Sequence, residues 1–370
     1  MTGVHPLGEH RCGAGLQPCA PSRSAKALRH ETRPLRVLFR VAAGPRVGFG
    51  HLVRCRSLAR AMNLVPCASV RGNAATRRSA AAMGWSLASS ASRTALTTAR
   101  PDVLVVDDPS SPHAAVWVRA ARRLGVPVAT IHDLGLGRVE SDLTIDGSVI
   151  EGRPHPSANA LVGPAHMILD PEILATRQRH MRRPELNVLI ALGGGSHVCQ
   201  LAAGIARELA QRVPDVRIRV AAGFSSHGRR PELPRGRWIS APDGLARELA
   251  HTTVAVVAGG VTLYEACALG IPAVALAVTP AQHRTIRGMA RAGAAVDAGQ
   301  PPIEATTIAR VAEAAAALVR DARARRRMSS SGRQLVDARG AFRVAAKVRQ
   351  LYERMHPPIT AGAAGEAHAA

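Results

Sequence analysis

Three short stretches of this chain carry residues whose types and spacing suit chemistry. In VGFGHLVRC (47–55), His51 follows Gly48 and Gly50, a few residues after the apolar run RVLFRVAA (36–43). A histidine in the first turn of a helix meets the positive end of the helix dipole. Together with Arg54 three residues on, that field favours the neutral imidazole, the form able to accept a proton. Gly48 and Gly50 leave room for a substrate to approach the backbone. The chemistry is that of a general base; the plainer alternative is a structural contact at a helix start. The other stretches are GGGSH (193–197), with Gly194 and Gly195, and GGVTLYE (259–265), with Gly259, Gly260, Thr262, Leu263 and Glu265. Each follows an apolar run and opens a helix, so free amides and a dipole end converge where a phosphate, or better a diphosphate, would sit. Thr262 adds a hydroxyl, and Glu265, a turn later, suits the hydroxyls of a ribose. A base facing a nucleotide diphosphate implies attack on whatever the diphosphate carries, with the diphosphate leaving.

Other candidates are weaker. Asp107, Asp108 and Asp133 fall at strand ends, where they orient His51, bind sugar hydroxyls or cap the following helices. His132, His166, His197 and His283 share no metal-ligand spacing. Neither G-x-x-x-x-G-K-[ST] nor G-x-G-x-x-G occurs. The expectation is a reaction with no metal and no cofactor.

These residues need elements to hold them. RVLFRVA (36–42), PDVLVVDD (101–108) and PVATIHD (127–133) predict strands, and 51–63 and 113–124 helices. After the basic, proline-containing stretch 177–185 a second series begins. It comprises strand 186–192 running into its glycine loop, helix 197–212, strands 216–223 and 237–240 and a short helix from Asp243. Strand 253–260, helix 261–269, strand 272–278 and helix 281–292 complete it. Short β-branched runs alternating with Ala-rich helices imply α/β crossover units and parallel sheets. The fold class expected is α/β with two doubly wound, Rossmann-like domains facing across a cleft lined by the carboxyl ends of both sheets. The domains are expected at 35–180, with the base, and 186–335, with the nucleotide. A C-terminal helix and flexible tail follow at 336–370. The helical tail from about 303 to 355 is expected to pack back across the first domain. Residues 1–34 are polar and aperiodic and are expected to be a disordered leader.

Composition narrows the function classes. A chain of 370 residues with 46% apolar content can fill two cores. The formal charge of +23 comes almost wholly from arginines dispersed among Ala, Gly and Pro, and aromatic residues for base stacking make up only 2%. That favours a solvated basic surface, attractive to anionic small molecules, over nucleic-acid binding. No run reaches the ~18 apolar residues of a spanning helix, and no secretory h-region is present. A cytoplasmic protein, monomeric or weakly oligomeric and without membrane insertion, is expected. Six cysteines without close pairing fit a reduced compartment; Cys55 and Cys267 are expected to serve packing.

With those residues in view, the chain resembles a known family. GFGHLVRCRSLARAM (48–62) is similar to the first glycine loop and helix of the nucleotide-sugar hydrolases of pseudaminic acid biosynthesis, which cleave a UDP-linked diacetamido-trideoxy-altropyranose. AGGVTLYEACALGIPAVALAV (258–278) resembles their nucleotide loop, shared with family 28 glycosyltransferases and spore-coat polysaccharide proteins. LVGPAHMILDPE (161–172) and VLIALGGGS (188–196) resemble the same family, so the likeness runs from 35 to about 300. It implies a GT-B fold and inverting hydrolysis at the anomeric carbon of a UDP-sugar. His51 would activate water, Glu265 would bind the ribose, and Leu263 and Tyr264 would lie beside the uridine. Gln282 would line the sugar side. Two departures fall on that side: Ala281 where an asparagine is usual before Gln282, and Asp108–Pro109 where an aromatic or histidine is usual. An inverting glycosyltransferase would use the same base on an acceptor hydroxyl, and a non-catalytic nucleotide-sugar or nucleic-acid binder would use the loops alone.

Overall fold

In the order of the chain, the first half alternates strands and helices throughout. It comprises β1 (Val37–Ala42), α1 (Gly50–Ala61), β2 (Cys67–Arg71), α2 (Ala74–Ala82), β3 (Ser86–Leu87) and α3 (Ser92–Ala99). β4 (Val103–Asp107), α4 (Ser111–Arg123), β5 (Val128–Ile131), β6 (Leu143–Asp146) and β7 (Ala160–Val162) follow, and α5 (Pro171–Gln178) leads out. The second half holds β8 (Asn187–Ala191), α6 (Val198–Arg212), β9 (Arg217–Ala221), β10 (Gly236–Ile239), α7 (Ala246–Ala250), β11 (Val254–Ala258) and α8 (Val261–Leu269). It closes with β12 (Ala273–Leu276), α9 (Gln282–Arg291), β13 (Val296–Asp297), α10 (Ala305–Arg320), α11 (Ala322–Leu335) and α12 (Gly340–Met355). This computed structural model describes residues 34–355 except 45–46, 135–138, 150–158, 180–185, 194–197, 224–229, 234 and 242. The expected leader, together with Gly194, Gly195 and His197, lies outside the described residues.

The strands form two wholly parallel sheets, ordered β3-β2-β1-β4-β5-β6-β7 and β10-β9-β8-β11-β12-β13. Parallel strands covered on both faces should be apolar throughout, and β1, β4, β11 and β12 are buried at every position. Alternation along β1 divides its neighbours: Val37, Phe39 and Val41 join the core under α1, whereas Leu38 joins Trp117 and Val118 of α4 on the other face.

Several elements were not apparent from sequence. The span 64–100 has no β-branched run, yet CASVR forms β2 because it pairs with β1 from Leu38↔Cys67 onward. β3 is two residues long and exists through its pairing with β2. α4 begins at Ser111, before the expected 113, because Pro112 falls in the first turn, where its missing N–H costs nothing. α1 ends at Ala61 and not 63, where Asn63 takes a positive φ of 56°. The short helix expected from Asp243 starts at Ala246.

From Leu35 onward the described residues pack as one unit, and the chain crosses between its halves twice. The outgoing crossing passes Met167 into α5; the returning one enters α12 at Gly340, where a Cβ would stand 2.1 Å from the Met167 carbonyl oxygen. α12 then covers the first half's core with Ala341, Val344, Ala345, Val348 and Leu351. Its Arg349 donates to the Met62 carbonyl at 2.8 Å. Arg177 of α5 ties this junction together, donating to the carbonyls of Ala268 (2.7 Å), Val336 (2.8 Å) and Arg333 (3.0 Å). A third contact joins the halves at the carboxyl ends of their strands: the Val149 N–H donates to the Tyr264 hydroxyl at 2.9 Å. Among the described residues no helix is long and apolar enough to cross a membrane.

Candidate functional site

In an open parallel sheet, ligands sit beyond the carboxyl ends where the strand order reverses, because the loops there diverge to opposite faces. The reversals lie between β1 and β4 in the first sheet and between β8 and β11 in the second. The loop from β1 delivers His51, β4 ends in Asp107, and the loop from β11 carries Gly259 and Gly260 into α8. Sequence spacing had singled out these loops without knowing the strand order.

At the first reversal the side chains form a closed polar network. Asp107 Oδ1 lies 2.8 Å from His51 Nδ1, and Arg54 brackets the same carboxylate, Nε to Oδ2 and Nη2 to Oδ1, both at 2.6 Å. Arg54 Nη2 also approaches His51 Nδ1 at 3.1 Å. Nη2 already serves the carboxylate, and the charged Oδ1 is the nearer acceptor, so the imidazole proton belongs on Nδ1. In the neutral ring Nε2 then carries the lone pair, and no described residue bonds to it. Arg54 Nη1 reaches Asp133 Oδ1 at 2.5 Å. Burial alone would push the Asp107 carboxyl up, but the Arg54 guanidinium and His51 outweigh it and hold the group well below the usual carboxylate range. For Arg54, burial works against the charge while Asp107 and Asp133 more than restore it, leaving its pKa raised.

This geometry sorts the candidates. Asp107 (1% exposed) and Arg54 (5%) are buried and bonded to one another and, for Asp107, to His51. The Asp133 side chain is 44% exposed, and its second oxygen has no partner among the described residues. Gly48, with φ +84°, spends both its N–H and its C=O on Gly44, at 2.7 and 3.1 Å. It shapes the loop, and the space where its Cβ would stand is open, as it is at Gly50. α1 has neither a side-chain cap nor an acidic residue in its first turn.

The second reversal repeats that feature. α8 starts from Gly260 without a side-chain cap or first-turn acid, and the space above Gly260 is open. Side chains cap α2, α5 and α11; α1 and α8, like α3, α4, α7 and α9, have none, and α1 and α8 follow strands that flank the two switch points. Gly259 has a different reason to be glycine: a Cβ there would lie 2.8 Å from the Gln282 carbonyl oxygen and 2.9 Å from Ile286. Thr262 is half-buried with its hydroxyl unpaired among the described residues. Glu265 is 6% exposed, and no described residue hydrogen-bonds its carboxyl. Burial, with a smaller push from Asp170, raises that group to about 7. Asp170 is itself held by Arg60 Nη1 at 2.7 Å.

Some expected contacts move elsewhere. Leu263 is fully buried in the second core, so its side chain faces no cleft, and its N–H is spent on the Gly260 carbonyl. Tyr264 is also buried, its hydroxyl occupied by the Val149 N–H. Hydrophobic positions on an apolar helix claim the core first. Gln282 accepts from the Val278 N–H at 2.9 Å, bracing the loop after β12. His132 pairs with Thr130, His166 with the Val162 carbonyl and His283 with Asp297. Cys55 and Cys267 are buried, and burial pushes both thiols up, Cys267 to about 12. Among the described residues no three His, Cys, Asp or Glu side chains converge as a metal-ligand set.

One cluster had not been read from sequence. Asp108 accepts from Arg71 Nε at 2.7 Å and Nη2 at 2.6 Å, with the buried Arg40 beneath it. A charged residue inside the apolar run of β1 was the available signal.

Comparison with known proteins agrees with this architecture. No family model matches the chain. The spore coat polysaccharide biosynthesis protein SpsG of Bacillus subtilis (strain 168) is 29% identical over 230 residues, which is 58% of this chain and 66% of that protein. The spinosyn rhamnosyltransferase SpnG, solved with thymidine diphosphate, superposes with a TM-score of 0.60 at 19% identity, covering 86% of this chain and all (100%) of that one. MurG of Acinetobacter baumannii gives 0.58 at 13% identity, over 85% and 99%. The fold is GT-B: two Rossmann-like domains built on seven- and six-stranded parallel sheets.

Proposed function

We propose that the chain transfers a sugar from a nucleoside diphosphate, by inversion, to an acceptor hydroxyl. His51 Nε2 takes the acceptor proton as its oxygen bonds to the anomeric carbon. The bond from that carbon to the diphosphate breaks, and the diphosphate leaves with the electron pair against the free amides of α8. Asp107 stabilises the imidazolium so formed. Glu265 accepts hydrogen bonds from the nucleotide's ribose, with Thr262, Gly259 and Gly260 around the diphosphate and Gln282 and Asp133 toward the sugar. The observation that carries this reading is the His51–Asp107 pair at one switch point, with, at the other, a helix start that has no side-chain cap and a buried carboxyl that no described residue hydrogen-bonds. The rhamnosyltransferase bound to thymidine diphosphate and the spore-coat polysaccharide protein among the relatives favour transfer over the hydrolysis first expected.

Water as the nucleophile is the second reading, favoured by the likeness of GFGHLVRC to the pseudaminic acid hydrolases. Both readings give one test. UDP release from a panel of UDP-sugars is measured with and without sugar acceptors, in the wild type and in His51→Ala. Release that needs an acceptor marks a transferase, and acceptor-independent release marks a hydrolase. In either case His51→Ala should slow turnover by about 10²–10⁴ while still binding UDP. Equal rates in both proteins would remove His51 from the chemistry.

A further inference from the structure

We propose that the first domain binds an oxyanion, a carboxylate or a phosphate, at the carboxyl ends of β2 and β4, with Arg71 as the contacting group and Arg40 as the charge behind it. The site lies across the sheet from His51, so the proposal goes beyond the transfer reading and does not depend on it. Asp107 and Asp108 are consecutive at the end of β4, so their side chains project to opposite faces of the sheet. Asp107 serves His51 and Arg54; Asp108 serves the second cluster.

The two clusters balance differently. Arg54 lies between two carboxylates, Asp107 and Asp133. On the other face two guanidiniums share one. Asp108 gives Oδ2 to Arg71 Nε and Oδ1 to Arg71 Nη2, and its Oδ1 also takes the Ser110 N–H at 3.0 Å. What remains for Arg40 is an ion contact, Nε to Oδ2 at 3.8 Å. Arg40 Nε is buried with no hydrogen-bond partner, while Nη1 donates to Ser69 at 3.2 Å and the guanidinium lies 4.9 Å from the Trp117 ring. Among the described residues no second carboxylate pairs with either arginine. One positive charge is thus left uncompensated in a largely buried group, an arrangement that is costly unless an anion completes it.

The opening is at Arg71, whose side chain is 29% exposed where Arg40 is 6%. The two bonds to Asp108 fix the plane of its guanidinium and leave Nη1 with no described partner, the geometry that suits a carboxylate or phosphate oxygen. A neutral hydroxyl would fill the space without supplying the charge.

Titration calorimetry tests this with D-glucuronate, D-glucose 6-phosphate and D-glucose, each with and without UDP. The two acids, or one of them, should bind at least about tenfold tighter than glucose (about 1.4 kcal/mol); the better acid identifies carboxylate or phosphate as the source. Arg71→Gln should abolish the preference, and Arg71→Lys should retain part of it. Asp108 keeps Arg40 as counter-charge in both variants, and UDP affinity checks that they are folded. Equal binding of all three sugars by the wild type, or an undiminished preference in Arg71→Gln, overturns the oxyanion site. Failure of the wild type to bind UDP counts instead against the transfer reading, while the acid preference is still read from the UDP-free titrations.

Discussion

At the residue scale, the buried Glu265 carboxyl couples function to stability. Its pKa rises from 4.5 to about 7 in the folded protein, through burial first and Asp170 second. A raised carboxyl pKa means that the folded state holds the proton more tightly. The contribution is intact below the unfolded value and is lost as pH climbs through the folded one, a penalty of up to ~3 kcal/mol above neutrality. Glu265→Gln should therefore raise the Tm at pH 8, leave it nearly unchanged at pH 4.5, and weaken UDP binding. A thermal-shift series across pH, with and without UDP, measures all three. A variant destabilised at pH 8 would mean that the carboxylate has a structural partner. The sequence exposed Glu265 and His51 because each follows a glycine loop at helical phase. It did not show that Arg54 is buried between Asp107 and Asp133, because nothing in H-x-x-R distinguishes a group that faces a cleft from one that holds its neighbour. The place of the Leu263 side chain in the core was hidden for the same reason.

At the element scale, adjacent glycines before α8 should respond in opposite ways. A methyl at Gly259 would press the backbone of Gln282 and displace α9. Gly259→Ala should thus cost about 1–3 kcal/mol of stability. Gly260 has an ordinary φ of −111° and open space, so Gly260→Ala should keep its Tm and lose UDP affinity. Paired melting and binding curves separate the two roles. The long apolar strands and their following helices were legible because parallel strands buried on both faces leave a continuous hydrophobic signature. β2, β3 and α2 were not, since CASVR and a two-residue strand gain their identity from pairing with neighbours. Arg40, charged within the apolar β1, was a local inconsistency that the sequence displayed and only the neighbouring Asp108 explains.

At the scale of the whole molecule, the two halves depend on each other through the returning chain. Deleting residues from 339 onward removes Val344, Val348 and Leu351 from the first core. Burial of each is worth about 1.5–3 kcal/mol, a loss comparable with the ~5–15 kcal/mol that holds a domain folded. The truncated protein should be insoluble or melt without a cooperative transition; a soluble form with a sharp calorimetric transition would contradict this. Because α12, which seals the amino-terminal core, is made after the second domain, the first domain leaves the ribosome with one flank still bare. The second domain can finish folding on the emerging chain, whereas the first, which carries the proposed base, becomes whole only after synthesis of α12. Newly made molecules should therefore acquire nucleotide binding before they acquire turnover.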